Sequence, residues 1–106
     1  MNKEQRIKKN ELSDMVFTQD IIKTNPETVT RILQKLYQYY KLSKFEYCVF
    51  IFRHGLLNNR CKPQSFSQIA KEFGASVEEV LTAYNRTLKL ISKSLVESSF
   101  NLDLAL

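Results

Sequence analysis

The chain has 106 residues, of which 43% are hydrophobic and 25% charged, with only two glycines, two prolines and a net charge of +5. This composition is typical of one ordered, helix-rich domain, and its modest positive charge permits contact with nucleic acid or acidic proteins without establishing either. Two cysteines and one histidine are too few for a disulfide framework or a zinc site of about four ligands, and no apolar run reaches the roughly 18 residues of a membrane span, so we expect a cytoplasmic protein without a metal or cofactor.

Residues 1–24 are predicted to be an N-terminal extension. They carry five basic and four acidic residues, and residues 3–10 are typical of a solvated segment. The apolar residues that follow can form a short helix or a strap across the domain; they are Met15, Val16, Phe17, Ile21 and Ile22.

Capping residues mark four helix starts in residues 25–96. Asn25 stands before Pro26, which suits the first position of a helix. Three serines are each followed, three positions later, by Glu or Gln, which is the capping-box pattern; the pairs are Ser43 with Glu46, Ser65 with Gln68, and Ser76 with Glu79. These starts predict an all-α domain with helices over about 26–41, 44–54, 66–73 and 77–96.

Apolar residues at helical spacing predict which sides of these helices are buried. The first stripe contains Val29, Ile32, Leu33, Leu36 and Tyr40, and the last contains Val80, Leu81, Tyr84, Leu88, Ile91 and Leu95. Gly55 follows the second predicted helix, where a left-handed conformation commonly ends a helix.

The third and fourth predicted helices are joined through Gly74, which predicts a helix-turn-helix. The small side chain of Ala70 allows the two helices to approach, and the angle between them can be filled by Ile69, Phe73, Val80 and Ala83. In such a motif the second helix usually enters the DNA major groove, with its N-terminal residues facing the base edges.

Residues 42–95 resemble region 4 of bacterial sigma factors, their C-terminal helix-turn-helix domain. One signature of that family is matched by Leu42, Ser43, Glu46, Val49, Arg53, His54, Gly55 and Leu56, with His54 in the place of an aromatic residue. The other is matched by Ile69, Ala70, Phe73, Gly74, Ala75 and Ser76.

The resemblance implies a transcription factor that docks on the flap of the RNA polymerase β subunit and contacts the promoter −35 element. The flap contacts it implies are Phe45, Ile51, Phe52, Leu56 and Phe66. The DNA contacts it implies are Glu78, Thr82, Asn85, Arg86 and Lys89. No segment resembles the sigma region that melts the −10 element, so we expect a split sigma subunit or a co-activator of phage or bacterial origin.

The start of the last predicted helix departs from the family. Sigma factors carry Arg, Glu and Gln there, whereas this chain has Val77, Glu78, Glu79 and Leu81. Glu78 can accept a hydrogen bond from a cytosine amine, but adjacent carboxylates repel phosphates, so we expect weak DNA contact. The alternative function is a stand-alone helix-turn-helix regulator that binds DNA as a dimer without docking on polymerase.

The second predicted helix is apolar on nearly every side, through Phe45, Tyr47, Cys48 and Ile51. Such a helix is expected to be covered all round. Either residues Met15, Val16 and Phe17 cover it, or a partner protein does.

Residues 97–106 form an acidic and apolar C-terminal tail. Their pattern resembles the short peptides that dock on bacterial sliding clamps, through Asn101, Leu102, Asp103, Leu104 and Leu106. A tail folded on the core is the other interpretation, and certain phage co-activators of late transcription combine a sigma-like body with a clamp-binding tail.

No arrangement of residues in the chain predicts an enzyme. The sequence shows no Ser/His/Asp set, glycine-rich phosphate loop or paired carboxylate site. His54 is expected to be packed or hydrogen-bonded, and Cys48 to be a small buried residue.

Overall fold

Helices are the only regular secondary structure in the part that the computed structural model describes, which comprises residues 18–56 and 62–105, with side chains described as far as residue 97. The helices in this part are α1 (residues 18–24), α2 (Pro26–Gln38), α3 (Lys44–His54), α4 (Phe66–Phe73) and α5 (Val77–Ala105). The prediction of a small all-α domain is therefore confirmed.

The predicted capping residues begin α2 to α5. The side chain of Asn25 accepts a hydrogen bond from the N–H of Thr28. Both bonds of the capping box form at Ser43 with Glu46, and both form at Ser65 with Gln68. At the start of α5 the Ser76 hydroxyl oxygen accepts from the N–H of Glu79, at 3.0 Å. All four starts agree with the prediction because each cap depends on residues only three positions apart.

Helix α2 ends at Gln38 and not at residue 41 as predicted. Tyr40 has a φ of 61°, a left-handed conformation that is uncommon for a residue other than glycine. The N–H of Lys41 then donates to the carbonyl oxygen of Leu36, at 2.8 Å, and closes the end of the helix. The prediction that Tyr40 continues the buried stripe is wrong, since its side chain is 94% exposed.

The core lies where α3 packs on α5, and this is the most extensive contact between helices in the described part. Val49 and Phe50 of α3 and Ile91 of α5 are fully buried, and Leu88 of α5 is 1% exposed. Val29 and Leu33 of α2, Ile69 and Ala70 of α4, and Ile22 of α1 complete this core. Because the buried residues recur at helical spacing, one side of each helix is removed from water.

Two further boundaries differ from the prediction. Helix α5 continues to Ala105, whereas the sequence predicted an end near residue 96. Leu81, predicted in the buried stripe of this helix, is exposed, while Val80, Tyr84, Leu88, Ile91 and Leu95 are buried as expected.

The N-terminal extension is described only from residue 18. Residues 18–24 form the short helix that the sequence allowed, and Thr18 and Ile22 are buried. Met15, Val16 and Phe17, the predicted cover for α3, lie outside the described residues.

His54, at the end of α3, is held inside the domain by aromatic neighbours. Its Nε2 lies 2.8 Å from the hydroxyl oxygen of Tyr84 in a hydrogen bond, and its ring lies 4.8 Å from that of Phe50. Burial of the imidazole, together with the positive charge of Arg53, lowers the pKa of His54 to about 4. His54 is therefore neutral and structural at physiological pH, as expected for a packed, hydrogen-bonded histidine.

We expect acid to destabilise the domain through His54. The unfolded chain takes up a proton at this residue near pH 6.5, but the folded chain does so only near pH 4. The free energy of unfolding therefore falls as the pH decreases from about 6.5 to about 4, by at most about 1.4 kcal/mol per pH unit. Urea unfolding at several pH values measures this slope.

His54→Gln is the matched control for this pH dependence. Glutamine can keep a hydrogen bond to Tyr84 but does not titrate, so the variant should lose most of the slope between pH 6.5 and 4.5. An unchanged slope in the variant would contradict the assignment to His54. Glu46, whose pKa is also lowered, contributes only at the acidic end of this range.

Candidate functional site

The corner between α4 and α5 fixes the orientation of the surfaces around it. Gly74 has a φ of 62°, and its N–H bonds to carbonyl oxygens in the last turn of α4. An added Cβ at Gly74 would meet no atom within 4 Å, so the backbone conformation and not the available space favours glycine here. Ile69, Val80 and Ala83 are buried, as predicted for the angle between the helices.

Phe73 does not fill that angle and instead belongs to an aromatic patch with two residues of α3. Its ring lies 5.6 Å from that of Phe45 in an edge-on arrangement and 5.7 Å from that of Phe52. Phe73 is 39% exposed, while Phe45 and Phe52 are half-buried. We name these three residues the aromatic patch, and we take it as the candidate docking surface because clusters of exposed rings commonly mark protein contacts.

The structure brings only two of the five implied flap contacts into this patch, Phe45 and Phe52. Ile51 is 4% exposed and lies in the core, so it is not part of an accessible surface. Leu56 and Phe66 are half-buried against the core. The ring of Phe66 faces Arg53, whose guanidinium carbon lies 4.2 Å from the ring centroid, and it also contacts Tyr84 edge-on.

The implied DNA contacts share one exposed side of α5. Glu78, Thr82, Asn85, Arg86 and Lys89 are all exposed and follow one another at helical spacing. The hydroxyl of Thr82 donates to the backbone carbonyl oxygen of Glu78, at 2.9 Å, so this donor is already used within the helix.

Arg86 is held by the start of α3. Its guanidinium forms an ion pair with the carboxylate of Glu46 and also donates to the carbonyl oxygen of Lys41, at 3.3 Å. Partial burial raises the pKa of Glu46, but the N–H of Ser43 and the charge of Arg86 outweigh it and leave that pKa lowered. Glu46 therefore stays ionised at neutral pH and serves two partners, its own helix cap and Arg86.

The surface at the start of α5 is acidic and apolar. A groove of about 660 Å³ runs between the first turns of α3 and α5, and the carboxylates of Glu46, Glu78 and Glu79 outnumber the one guanidinium in its lining, that of Arg86. Val77 and Leu81 are exposed on the same part of α5. Carboxylates stabilise a helix N-terminus, but in this position they repel the phosphates of a nucleic acid.

The possible clamp-binding residues Asn101, Leu102, Asp103, Leu104 and Leu106 have side chains outside the described part. The backbone of the first four belongs to α5, since that helix continues to Ala105. The interpretation of this tail as a docking peptide or as a packed segment stays a prediction.

The described residues hold no group of three or more His, Cys, Asp or Glu side chains that could bind a metal ion. None of the helices in the same part of the chain is long and apolar enough to span a bilayer. Cys48 is half-buried, and burial raises the pKa of its thiol, which keeps it protonated at neutral pH.

Comparisons of the chain with protein-family models, curated proteins and solved structures found no match. The function is therefore inferred from the signature residues, the aromatic patch and the charges on α5.

We expect the Glu46→Gln variant to be less stable than the natural chain by about 0.2–1 kcal/mol, the usual range for an exposed ion pair. Glutamine can still serve the capping box, as Gln68 does in α4, so the change isolates the contact with Arg86. Glu79→Gln is the matched control, because it alters the equivalent cap of α5. Equal effects of the two substitutions in urea unfolding would contradict a stabilising role for the Arg86 pair.

Proposed function

We propose that this chain is a transcription factor that docks on bacterial RNA polymerase in the manner of an isolated sigma region 4, as a split sigma subunit or a co-activator. Its partner is the flap of the β subunit, and it acts in the cytoplasm of a bacterial cell, where polymerase and nucleoid are. The single observation that carries the proposal is the aromatic patch, which lies on the two helices that bear the family signatures.

The patch supports docking on protein for an energetic reason. The ring of Phe73 contacts those of Phe45 and Phe52, and all three keep part of their surface in water. Covering an exposed aromatic surface contributes roughly 25 cal/mol for each Å² removed from water, and aromatic residues are frequent anchors at protein interfaces. An apolar segment such as the flap tip is the kind of partner that gains from this surface.

The charges at the start of α5 support a weak role in reading DNA. The first turn carries Glu78 and Glu79, and Arg86 is already paired with Glu46. Asn85 and Lys89 remain as exposed polar groups for promoter contact, since the Thr82 hydroxyl already donates to the carbonyl oxygen of Glu78. Because phosphate contacts supply most of the non-specific affinity for DNA, a stand-alone dimeric regulator is less consistent with this surface than a factor tethered through polymerase.

We expect Phe73→Ser to weaken binding to the isolated flap domain by at least about tenfold, because it removes an anchor ring at the edge of the patch. Calorimetric titration of the full chain with purified flap domain, without DNA, measures the dissociation constant. Val96→Ser is the matched control, since Val96 is a similarly exposed apolar residue on the distal part of α5.

Undiminished flap binding by Phe73→Ser, with melting unchanged, would place the docking surface elsewhere. Specific binding of the full chain to a palindromic duplex as a dimer, together with absent flap binding, would favour the alternative regulator.

The tail requires its own test. If residues 101–106 dock on a sliding clamp, deleting them should abolish binding to the purified clamp and leave the melting temperature unchanged. If they pack on the core, the deletion should lower the melting temperature by several degrees. Flap binding should survive the deletion in either case, and it serves as the internal control.

A further inference from the structure

The corner between α2 and α3 combines exposed tyrosine rings with exposed lysines. Tyr39 is 72% exposed and Tyr40 is 94% exposed, which is unusual for large aromatic side chains in a folded domain. Lys35 and Lys41 flank them, and both are exposed. We name Lys35, Tyr39, Tyr40 and Lys41 the basic-aromatic corner; it shares no residue with the aromatic patch.

The corner is held in a fixed shape. Tyr37 stacks on Tyr47 of α3 with ring centroids 4.7 Å apart, which anchors the end of α2. Arg86 donates to the carbonyl oxygen of Lys41, which ties the corner to α5. Within residues 18–56 and 62–97, neither Lys35 nor Lys41 has a carboxylate partner, since the ion pair found there is that of Arg86 with Glu46.

Tyr40 is strained and yet contributes nothing to the core. The left-handed backbone conformation of Tyr40 lowers the stability of the fold, because the residue has a Cβ; glycine at this position would not have that effect. The exposed ring of Tyr40 recovers none of that stability by burial. A strained and fully exposed aromatic residue is consistent with a role in binding.

Three of the four corner residues open onto a cleft between α2 and the distal part of α5. The cleft holds about 380 Å³, and Lys35, Tyr39 and Lys41 line it together with Ile32 and Leu36. Ser94 and Glu97 complete the lining, so lysines outnumber carboxylates by two to one there. A groove with positive charge and free aromatic faces matches the chemistry of a strand with phosphates and unpaired bases.

We infer that the basic-aromatic corner binds single-stranded nucleic acid, with bases stacked on Tyr39 and Tyr40 and phosphates held by Lys35 and Lys41. Duplex DNA fits less well, because its bases are already stacked on one another and leave no face for the tyrosines. The inference goes beyond the proposed polymerase docking, and its test needs neither polymerase nor flap.

The test uses the full chain and fluorescein-labelled single strands of about 15 nucleotides, oligo-dT and oligo-U, with a duplex of equal length. Fluorescence anisotropy between about 50 and 200 mM salt gives the affinity and its salt dependence. Both single strands, or one of them, should bind more tightly than the duplex. Tighter binding of oligo-U identifies RNA as the source of the strand, and tighter binding of oligo-dT identifies DNA. Duplex binding equal to or tighter than both single strands would overturn the inference.

The variants separate stacking from charge. Tyr40→Gly should weaken single-strand binding by about fivefold or more, since it removes one stacking face. Glycine relieves the backbone strain but makes the unfolded chain more flexible, so an unchanged melting temperature shows that the loss is not due to unfolding. Tyr40→Phe keeps the ring and should bind as the natural chain does. Full binding by Tyr40→Gly would contradict the inference.

Lys41→Ala should lower the salt slope by about 0.7, the contribution of one phosphate contact on a single strand. The substitution keeps the carbonyl oxygen that Arg86 binds. Lys71→Ala is the control with the same loss of charge, because Lys71 is an exposed residue of α4 that lies away from the cleft. Equal effects of the two substitutions would show that these lysines contribute only a general attraction for nucleic acid. That result would contradict a binding site at the basic-aromatic corner.

Discussion

The burial of α3 against α5 is the interaction on which the other contacts depend. Phe50 is fully buried and stacks on Tyr84 at 5.3 Å, and the same tyrosine hydrogen-bonds His54. Burying a side chain such as Phe50 contributes about 1.5–3 kcal/mol. Because α3 turns this side to α5, Phe45 and Phe52 face α4, where Phe73 joins them. The aromatic patch is thus a consequence of how the core is filled.

The first turn of α5 can bind a phosphate of DNA or be capped by carboxylates of the chain itself, and one of these excludes the other. Free N–H groups there attract an anion, which can be a phosphate of DNA or a carboxylate of the chain itself. In this chain Glu79 takes part in the cap with Ser76, and Glu78 adds a second negative charge. These residues stabilise the start of the helix at the expense of its attraction for a DNA backbone. The proposed weakness in promoter reading therefore follows from residues that also stabilise the fold.

What the sequence could predict was set by the range of each interaction. Caps and helix starts depend on neighbours three residues apart, and all four were predicted correctly, as was the left-handed Gly55. The exposure of a side chain depends on which helices pack together, and the spacing of apolar residues did not always predict it. That spacing placed Leu81 in a buried stripe, the helix-turn-helix pattern placed Phe73 in the angle between two helices, and the family resemblance implied Ile51 as a surface contact; the structure reverses all three. Tyr40 was missed because nothing in the sequence marks a tyrosine for positive φ. The pair of Glu46 and Arg86 spans 40 residues, and opposite charge alone did not identify it.

The Glu46–Arg86 pair also sets how strongly Arg86 could contribute to DNA contact. A phosphate that binds Arg86 must first displace Glu46, and the cost is the free energy of that pair, at most about 1 kcal/mol for a partly exposed pair. A cost of this size reduces affinity by about fivefold, so the pair lowers the contribution of Arg86 without abolishing it. Once released, Glu46 still caps α3 through Ser43, so the fold does not depend on Arg86 remaining in place. Promoter contact by this helix is therefore expected to need the additional binding energy of the proposed docking on polymerase. The pair with Glu46 reduces the contribution of Arg86, and the carboxylates of the first turn repel the same phosphates.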